Sequence, residues 1–535
     1  MPKSMHIASA YSYWPMSKPI IAFALGLIAF MAGNCCQQPQ STECINPLNY
    51  TDTPDPDIVR VGEDYYLVTT TMYYCPMVPI MHSRDLVHWE IISYVCDDLG
   101  DDDFYTLRNG KNAYGKGQWA TSLQYKDGWW YALFITNEHH RTYIYRTDDI
   151  ARSGWERVSV IDEFFHDASL LFDTDGRNYV VYGNTQLYLK ELEADLSGVK
   201  QGGTDCLIVE FDRSNSMLGA EGTRFYHIGD YYYLFEIDWP TGGIRTERVW
   251  RSKEITGPYE SRIVCDGTIG GLQAGVAQGP VVQTQYGDWY GLFFQDHGAV
   301  GRILTVQPLS WEDGWPVAGD GTKPLERVEV KLPPCGENYL WAEDEFDSAQ
   351  LPLVWQWNHK PLDGCWSLTE HSGWLRLTTG QLATGIADAR NTLTQRTAGP
   401  VCVSEVKLDA SALKDGDFAG ICTLQSSRCA IGLAVEDGKS VLRAVSEFRG
   451  EKKTVFEQPW EGGDVFLRLR YDFREDFAYM SWSADGEAWN ELDFAQKIMF
   501  TLDYFTGYRT GLFCYATKEL GGHADFDYFH QSVTE

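Results

Sequence analysis

The feature that most constrains the fold is a unit that recurs five times along the chain. Each copy contains an apolar strand, a Gly/Asp turn, an aromatic strand and, in most copies, a later closing strand. The copies begin 48 to 64 residues apart, at Asp55, Trp119, Asp167, Glu221 and Ala277. Repeats of about four strands are typical of propeller blades. The pattern therefore predicts a five-bladed β-propeller over residues 45–325.

A second pattern follows a boundary marked by Pro324 and the segment KLPPCGENY. We assign residues 326–338 to a linker. From Tyr339 onward, alternating strands predict a β-sandwich over residues 339–535. Long helical periodicity is absent throughout, so the chain is predicted to be all-β.

The N-terminal region has the features of an export signal. Ile20–Ala32 is an uncharged run of 13 residues, which has the length of a signal-peptide core and is short for a membrane span. We predict a signal over residues 1–36, a linker over 37–44, and a location in the periplasm or on the outer cell surface. Cys35 and Cys36 follow the run, so attachment of a lipid anchor is an open alternative.

Composition limits the classes of partner. The formal net charge is −31, which disfavours binding to nucleic acid. Aromatic residues make up 14% of the chain; they suit stacking on sugars, although strands also favour them. The 13 cysteines lack zinc-site spacing. We interpret them as scattered buried thiols, with disulfide bridges left open.

Three of the five blade starts are carboxylic acids: Asp55, Asp167 and Glu221. The first strand of each blade lines the central channel of a propeller, so these side chains are expected to meet at its mouth.

Seven segments carry a resemblance to a known family. The chain resembles glycoside hydrolase family 43, in the group with an added C-terminal sandwich of the concanavalin-like type. The segments cover nearly the whole mature chain in order: DPDIVRVGEDYYLV, HSRDLVHW, QWATSLQYKDG, HDASLLFDTDG, EGTRFYHIGDYYYL, FFQDHGAVGRILTVQPLSWEDGWPV and WQWNHKP.

The resemblance implies roles for the three acids. Asp55 corresponds to the general base and Glu221 to the general acid. Cleavage of a glycosidic bond with inversion needs a carboxylate that activates water and a protonated carboxylic acid, roughly 6.5–9.5 Å apart, and residues on blades one and four can satisfy that separation across a channel. Asp167 corresponds to the residue that orients substrate and tunes the pKa of the acid; a nearby carboxylate would keep Glu221 protonated near neutral pH. Asp57 stands where relatives often have serine, and we interpret it as structural.

Four further residues are predicted to contact substrate. Arg302 corresponds to a channel arginine of the family, with a surface arginine as the alternative. Trp119 and Tyr74 are candidates for a platform on which the sugar stacks. His297 is either a channel residue or a core histidine with satisfied hydrogen bonds.

No cofactor is expected to be required. The family often has a histidine at the start of blade five, sometimes tied to a central ion, but this chain has Ala277 followed by Gln278, which leaves a channel metal undecided. Asp525 or Asp527, together with Glu345, are candidate ligands for a structural calcium ion in the sandwich. Outward-facing acids without an ion are the alternative.

The predicted function is an exo-acting, inverting O-glycosyl hydrolase. It would release α-L-arabinofuranosyl or β-D-xylosyl units from the non-reducing ends of arabinoxylan, xylan or arabinan. An endo-acting, arabinanase-like hydrolase is one alternative, and a non-catalytic glycan-binding lipoprotein is another, although the three acids argue against the latter. The sequence does not choose between arabinose and xylose or give the oligomeric state.

Overall fold

The computed structural model describes residues 40–534, so the predicted export signal and lipidation cysteines lie outside the described residues. Within this range the chain is built from β-strands, with four short 3-10 turns and no α-helix. No helix of residues 40–534 could therefore cross a membrane. The 3-10 turns are Arg213–Asn215, Gly298–Val300, Asp363–Cys365 and Ile386–Asp388.

Five antiparallel four-stranded sheets form the propeller, and the strands of each sheet pair in chain order. The first strands of most neighbouring blades contact one another around the channel. In chain order, the blades consist of Asp57–Val61, Asp64–Val68, Met77–Ser83 and Glu90–Cys96; Ser122–Lys126, Trp129–Thr136, Arg141–Thr147 and Glu156–Ile161; Ser169–Phe172, Asn178–Asn184, Gln186–Leu192 and Asp205–Glu210; Glu221–Ile228, Tyr231–Asp238, Thr246–Ser252 and Glu260–Cys265; Val281–Gln283, Trp289–Asp296, Arg302–Glu312 and Trp315–Ala318.

Local turns explain why the repeat folds into hairpins. In blade two, Asp127 and Gly128 both have positive φ, at 52° and 86°. A type I′ turn requires positive φ at both central residues, and Asp-Gly is a preferred pair there. The strand after the turn alternates partly exposed and buried residues at this end, whereas the last three residues of the strand before it are all at least partly exposed. The sequence thus sets the register of this hairpin locally.

Side chains on the first strands connect each blade to the next. In four cases an oxygen on one first strand accepts a backbone N–H from the following blade. The bonds run from Leu123 N to Asp57 Oδ2 (2.8 Å), Leu170 N to Ser122 Oγ (3.1 Å), Phe225 N to Ser169 Oγ (3.0 Å) and Val281 N to the Tyr226 hydroxyl (3.2 Å). Asp57 therefore has a structural role between blades one and two.

The two ends of the propeller are joined by a short antiparallel sheet. Thr42–Ile45 pairs with Arg327–Val330. Arg327–Val330 lies within the linker predicted over residues 326–338, and most of Thr42–Ile45 lies within the linker predicted over 37–44. Neither was predicted as a strand, because four residues with little alternation carry too weak a local pattern. Asn46 reinforces the junction by donating to the carbonyls of Val306 and Leu325, at 3.0 and 2.8 Å.

The C-terminal region is a sandwich of an eight-stranded and a seven-stranded antiparallel sheet. Alternate residues such as Ala419 and Ile421 pack with Leu467 and Leu469 between the sheets. In spatial order the sheets consist of Glu451–Pro459, Lys439–Phe448, Arg428–Glu436, Asp417–Leu424, Arg509–Ala516, Leu393–Arg396, Gln356–Asn358 and Tyr74–Cys75; and of Trp366–Ser367, Leu375–Thr378, His523–Thr534, Val401–Asp409, Val465–Asp472, Phe477–Ser483 and Asn490–Lys497. The predicted propeller followed by a sandwich is confirmed.

One strand of the sandwich comes from the propeller. Tyr74–Cys75, in blade one, pairs with Gln356–Asn358 at the edge of the eight-stranded sheet. The side chain of His359 accepts the backbone N–H of Ala113 at 3.0 Å and stacks on Tyr73 with ring centroids 4.9 Å apart. The two regions therefore share backbone pairing as well as side-chain packing.

The cysteines of residues 40–534 are all free thiols, and most are buried. Burial raises the pKa of several of them, including Cys96 and Cys402, each to about 12. A thiol with so high a pKa is mostly protonated near neutral pH and is a poor nucleophile. This arrangement matches the interpretation of scattered buried thiols.

Candidate active site

The candidate site lies where the blades begin. Asp55, Asp167 and Gln278 precede the first strands of blades one, three and five, and each has positive φ (50°, 47° and 57°). Such a conformation is uncommon for residues other than glycine and often marks a functional site. In blade four, Glu221 has ordinary φ and is followed by Gly222, which has φ of 72°.

Asp55 is 6% exposed and is held by two donors on one oxygen. Arg302 Nη1 donates to Asp55 Oδ1 at 2.8 Å, and Gln278 Nε2 donates to the same oxygen at 3.1 Å. The structure therefore brings Arg302 to Asp55, as the resemblance implied. Arg302 is itself only 5% exposed, which excludes the alternative of a surface arginine.

Arg224 joins blade four to the backbone of Asp55. Its Nη2 donates to the Asp55 carbonyl at 2.8 Å and its Nε donates to the Pro56 carbonyl at 2.8 Å. The side chain is 1% exposed and also lies 3.6 Å from Asp57 Oδ1. Because Arg224 is three residues after Glu221, these bonds fix the position of one candidate acid relative to the other.

Asp167 and Glu221 form the second half of the site. Gly222 N donates to Asp167 Oδ2 at 3.0 Å. His166 Nε2 lies 3.3 Å from Glu221 Oε2 and 3.7 Å from Asp167 Oδ2. Asn184 donates its side-chain amide to Glu221 Oε2 in a short contact. One imidazole and one amide thus hold two neighbouring carboxyl groups.

The charges of this cluster shift two pKa values. Burial raises the pKa of Asp167, and the charge of Glu221 adds to the rise, while His166 offsets part of it. Burial disfavours the charged form of His166, yet Asp167, Glu221 and Asp55 together raise its pKa to about 9. His166 is therefore cationic at neutral pH. The expected effect of Asp167 on Glu221 stays a prediction.

Among residues 40–534, one group of acids and histidines has the spacing of a metal site. It consists of His166, Asp167 and Glu221, whose ligand atoms lie within 4.8 Å of one another. The sandwich acids do not form such a group. Each pairs with a basic side chain instead: Asp525 with Arg376 (2.8 Å), Asp527 with Lys407 (2.9 Å) and Glu345 with His530 (2.6 Å).

Trp119 lies beside the acid cluster. Its ring is partly exposed, with the centroid 5.9 Å from that of His166 and 5.5 Å from that of Phe505. Its indole N–H is buried and has no hydrogen-bond partner within the described residues. A partly exposed ring next to the acids is suited to contact a sugar.

Tyr74 and His297 are placed differently from Trp119. Tyr74 is completely buried, and the guanidinium of Arg509 covers its ring at 3.7 Å from the centroid. It has no free face for a sugar, so the expected platform role does not fit its position. His297 is 8% exposed, its ring lies edge-on to Tyr50, and burial lowers its pKa to about 4. His297 is thus a neutral, packed histidine at the turn before Arg302. Its Nε2 is buried without a hydrogen-bond partner among residues 40–534, so the expected satisfied hydrogen bonds are not found.

The sandwich also supplies a residue to the site. Arg302 Nη2 donates to the Phe505 carbonyl at 3.3 Å, and the guanidinium lies 4.5 Å from the centroid of the Phe505 ring. Gly507 N donates to Asp52 Oδ2 at 2.8 Å, which ties the same loop to the start of the propeller. Phe505 and Trp119 therefore border the acids from two different domains.

Sequence reasoning missed five residues that the structure places at the site: His166, Asn184, Arg224, Gln278 and Phe505. His166, Arg224 and Gln278 lie within three residues of blade starts, so their position in the repeat could have identified them. Asn184 is at the end of a second strand and Phe505 is in another domain, and no local pattern marks either one.

A propeller whose channel mouth gathers carboxyl groups from three blades, with an arginine and an aromatic border, has the architecture of a glycoside hydrolase. Comparison with known families agrees with this class. The profile "Glycosyl hydrolases family 43" matches residues 44–316, and "Beta xylosidase C-terminal Concanavalin A-like domain" matches residues 343–532. The chain belongs to glycosyl hydrolase family 43, whose enzymes invert the configuration of the anomeric carbon.

Individual relatives extend over most of the chain. A "Beta-xylosidase" of Formosa agariphila is 28% identical over 91% of this chain and 89% of its own length. The "Non-reducing end alpha-L-arabinofuranosidase BoGH43B" of Bacteroides ovatus is 27% identical over 90% of this chain and 94% of its own length. A solved structure, "Bifunctional GH43-CE" of Bacteroides eggerthii, is 40% identical with a TM-score of 0.87; the match covers 93% of this chain and 64% of that longer chain.

Proposed function

We propose that this enzyme removes terminal α-L-arabinofuranosyl or β-D-xylosyl units from plant cell-wall glycans, with Asp55 as base, Glu221 as acid and Asp167 as the residue that supports the acid. One observation carries the proposal. Carboxyl groups from blades one, three and four occupy two contrasting halves of one site: Asp55 lies against Arg302, and Glu221 lies beside Asp167.

The contrast suits the two tasks of an inverting reaction. Asp55 takes a proton from water while the water oxygen bonds to the anomeric carbon. As the glycosidic C–O bond breaks, Glu221 gives its proton to the leaving oxygen. Asp167 lies against the Gly222 backbone beside Glu221, and Asn184 and His166 hold Glu221 Oε2. Both carboxyl groups return to their starting protonation when solvent exchanges the two protons.

The border of the site supports action on chain ends. Phe505 from the sandwich approaches Trp119 of blade two, and its carbonyl is bonded to Arg302 of blade five. Phe505 and Trp119 form a wall on one side of the channel. This wall limits how far a glycan chain can extend through the site. An endo-acting enzyme would need an open groove; in that case short oligosaccharides, not monosaccharide, would be the first products from arabinan or xylan.

The choice between arabinose and xylose is a question of pocket shape. Among the relatives, one is named a beta-xylosidase and another an alpha-L-arabinofuranosidase. Both sugars are pentoses and present similar hydroxyl groups to Arg302 and Trp119. We therefore propose both classes of substrate, and the ratio of kcat/KM on the two aryl pentosides ranks them.

The test is a panel of aryl β-D-xylosides and α-L-arabinofuranosides, followed by xylo- and arabino-oligosaccharides, with the anomer of the first product read by proton NMR. Release of a single pentose with inverted configuration supports the proposal. Oligosaccharide products would favour the endo alternative. Absence of hydrolysis across the panel, combined with glycan binding, would favour the non-catalytic alternative.

Export and lipid attachment concern a different part of the chain. Cys35 and Cys36, the candidate lipidation sites, lie outside the described residues. We propose that the enzyme works outside the cytoplasm, where polymeric glycans are found. Fractionation of cells that express the full chain, with labelled fatty acid, tests this. Label on the wild type that is lost when both cysteines are changed to serine supports an anchor; a cytoplasmic, unlabelled protein contradicts export and anchoring together.

A further inference from the structure

Gln278 occupies a position that the catalytic roles assigned above do not use. It precedes the first strand of blade five, is 7% exposed, and donates its side-chain amide to Asp55 Oδ1. We propose that Gln278 is a positioning residue that, together with Arg302, occupies Oδ1 of the base and thereby leaves Oδ2 to take the proton from water. This inference rests on the proposed function, because it specifies how the base of that reaction is oriented.

The distribution of donors on Asp55 is the first support. Oδ1 accepts both Arg302 Nη1 at 2.8 Å and Gln278 Nε2 at 3.1 Å. Within residues 40–534, Oδ2 accepts no hydrogen bond and is not among the buried polar atoms that lack a partner. An oxygen with two donors has little capacity for a third, so a water molecule is better bound by the other oxygen.

The backbone around Gln278 is shaped for this contact. Gln278 has φ of 57°, which is unfavourable for a residue with a side chain and needs support from its surroundings. That support includes Glu247, which is completely buried and accepts the Gln278 backbone N–H at 2.5 Å. The conformation turns the side chain away from blade five and across to Asp55.

Gly222 makes room for the side chain. A Cβ atom at Gly222 would lie 2.6 Å from Gln278 Cδ and 2.7 Å from its Nε2. Any other residue at position 222 would therefore collide with the Gln278 amide. Gly222 also donates its N–H to Asp167 Oδ2. The same glycine therefore leaves room for Gln278 to contact Asp55 and holds Asp167 beside Glu221. Gln278 thus connects the two halves of the site.

Two substitutions test the proposal by activity. Gln278→Met keeps an unbranched side chain of similar length but removes the donor. We expect kcat to fall by about 10- to 100-fold with KM nearly unchanged, because the lost bond to a charged group acts on the base in the transition state. The loss should be the same for good and poor leaving groups. Gln283→Met, at an exposed position of the same blade, is the matched control.

Gln278→Glu supplies a readout that a purely structural role would not change. A second carboxylate at Asp55 Oδ1 should raise the apparent pKa of the acidic limb in the pH profile of kcat/KM by about one unit, because like charges disfavour joint ionisation. Wild-type limbs in the Glu variant together with unchanged kcat in the Met variant would overturn the proposal. A loss confined to poor leaving groups would also overturn it, since that pattern belongs to the acid.

A crystal structure of Gln278→Met gives a result that does not depend on catalysis. The proposal expects the Asp55 carboxylate to rotate away from the orientation held by Arg302 and Gln278; an unchanged carboxylate would contradict it. A wild type without pentosidase activity would defeat the proposed function alone, and the orientation of Asp55 in the variant crystal would still decide whether Gln278 positions it.

Discussion

The two halves of the active site use the same kind of residue in opposite surroundings. Asp55 is surrounded by donors: a guanidinium and an amide on one oxygen, and Arg224 on its backbone. Asp167, which is buried, and Glu221, which is partly exposed, lie beside each other and beside one imidazole. The comparison teaches that carboxyl groups in one channel can have very different neighbours, which is what the proposed division into a base and an acid requires.

The largest expected effect is at Asp55. Asp55→Asn removes the proton acceptor, and we expect kcat to fall by at least about 10²–10⁴-fold on every pentoside, since general base catalysis has that magnitude. Steady-state kinetics on aryl and oligomeric substrates check this. Asp148→Asn, at an exposed surface pair with Arg152, is the control. Activity near the wild-type level would remove Asp55 from its assigned role.

The next effect distinguishes the acid half from the base half. Glu221→Gln should lose about 10²–10⁴-fold on oligosaccharides, which have poor leaving groups, because their departure needs a proton. With an activated aryl pentoside the loss should be far smaller. A plot of log kcat/KM against leaving-group pKa would show the difference as a steeper slope for the variant. Equal losses on both kinds of substrate would contradict the assignment.

His166 should produce a smaller effect that depends on pH. Its folded pKa is raised to about 9, above the value of 6.5 expected for an unfolded chain, so its stabilising contribution is complete below pH 6.5 and is lost as pH rises through 9. We expect His166→Gln to lower the free energy of unfolding by about 1–3 kcal/mol at pH 6, and by much less at pH 9.5.

Urea unfolding at pH 6, 7.5 and 9.5 measures the contribution of His166. His140→Gln, at an exposed histidine outside the site, provides the background change. A difference between wild type and His166→Gln that stays constant across this range would mean that His166 is not a cation held by the acids.

The smallest expected effect is at the border supplied by the sandwich. Phe505→Ala removes the ring beside Trp119 and Arg302, and we expect KM for pentosides to rise by about three- to tenfold with a smaller change in kcat. Phe448→Ala, on a partly exposed sandwich strand, is the control for loss of an aromatic ring. Unchanged KM for Phe505→Ala would exclude the sandwich from the binding site.

Sequence predictions that depended on nearby residues agree with the structure better than those that depended on long-range packing. The spacing of the repeat placed Asp55, Asp167 and Glu221 at blade starts, as the structure has them, because a blade start is defined by the strand and turn that follow it. Arg302 followed from a resemblance in its own segment. The same reasoning placed Tyr74 at the sugar, but its short strand pairs with the sandwich and is buried there.

The sequence by itself determined the number of blades, the order of the two domains and the position of Asp55, Asp167 and Glu221 at blade starts, because hairpin periodicity and turn residues act over a few positions. Only the tertiary structure decided which groups surround those acids. Phe505 reaches Arg302 from 203 residues away, and Gln278 reaches Asp55 from 223 residues away. The charge of His166 depends on Glu221 and Asp55 as well as on the adjacent Asp167, and the burial of Tyr74 depends on the sandwich. No local pattern specifies which of these distant residues will meet.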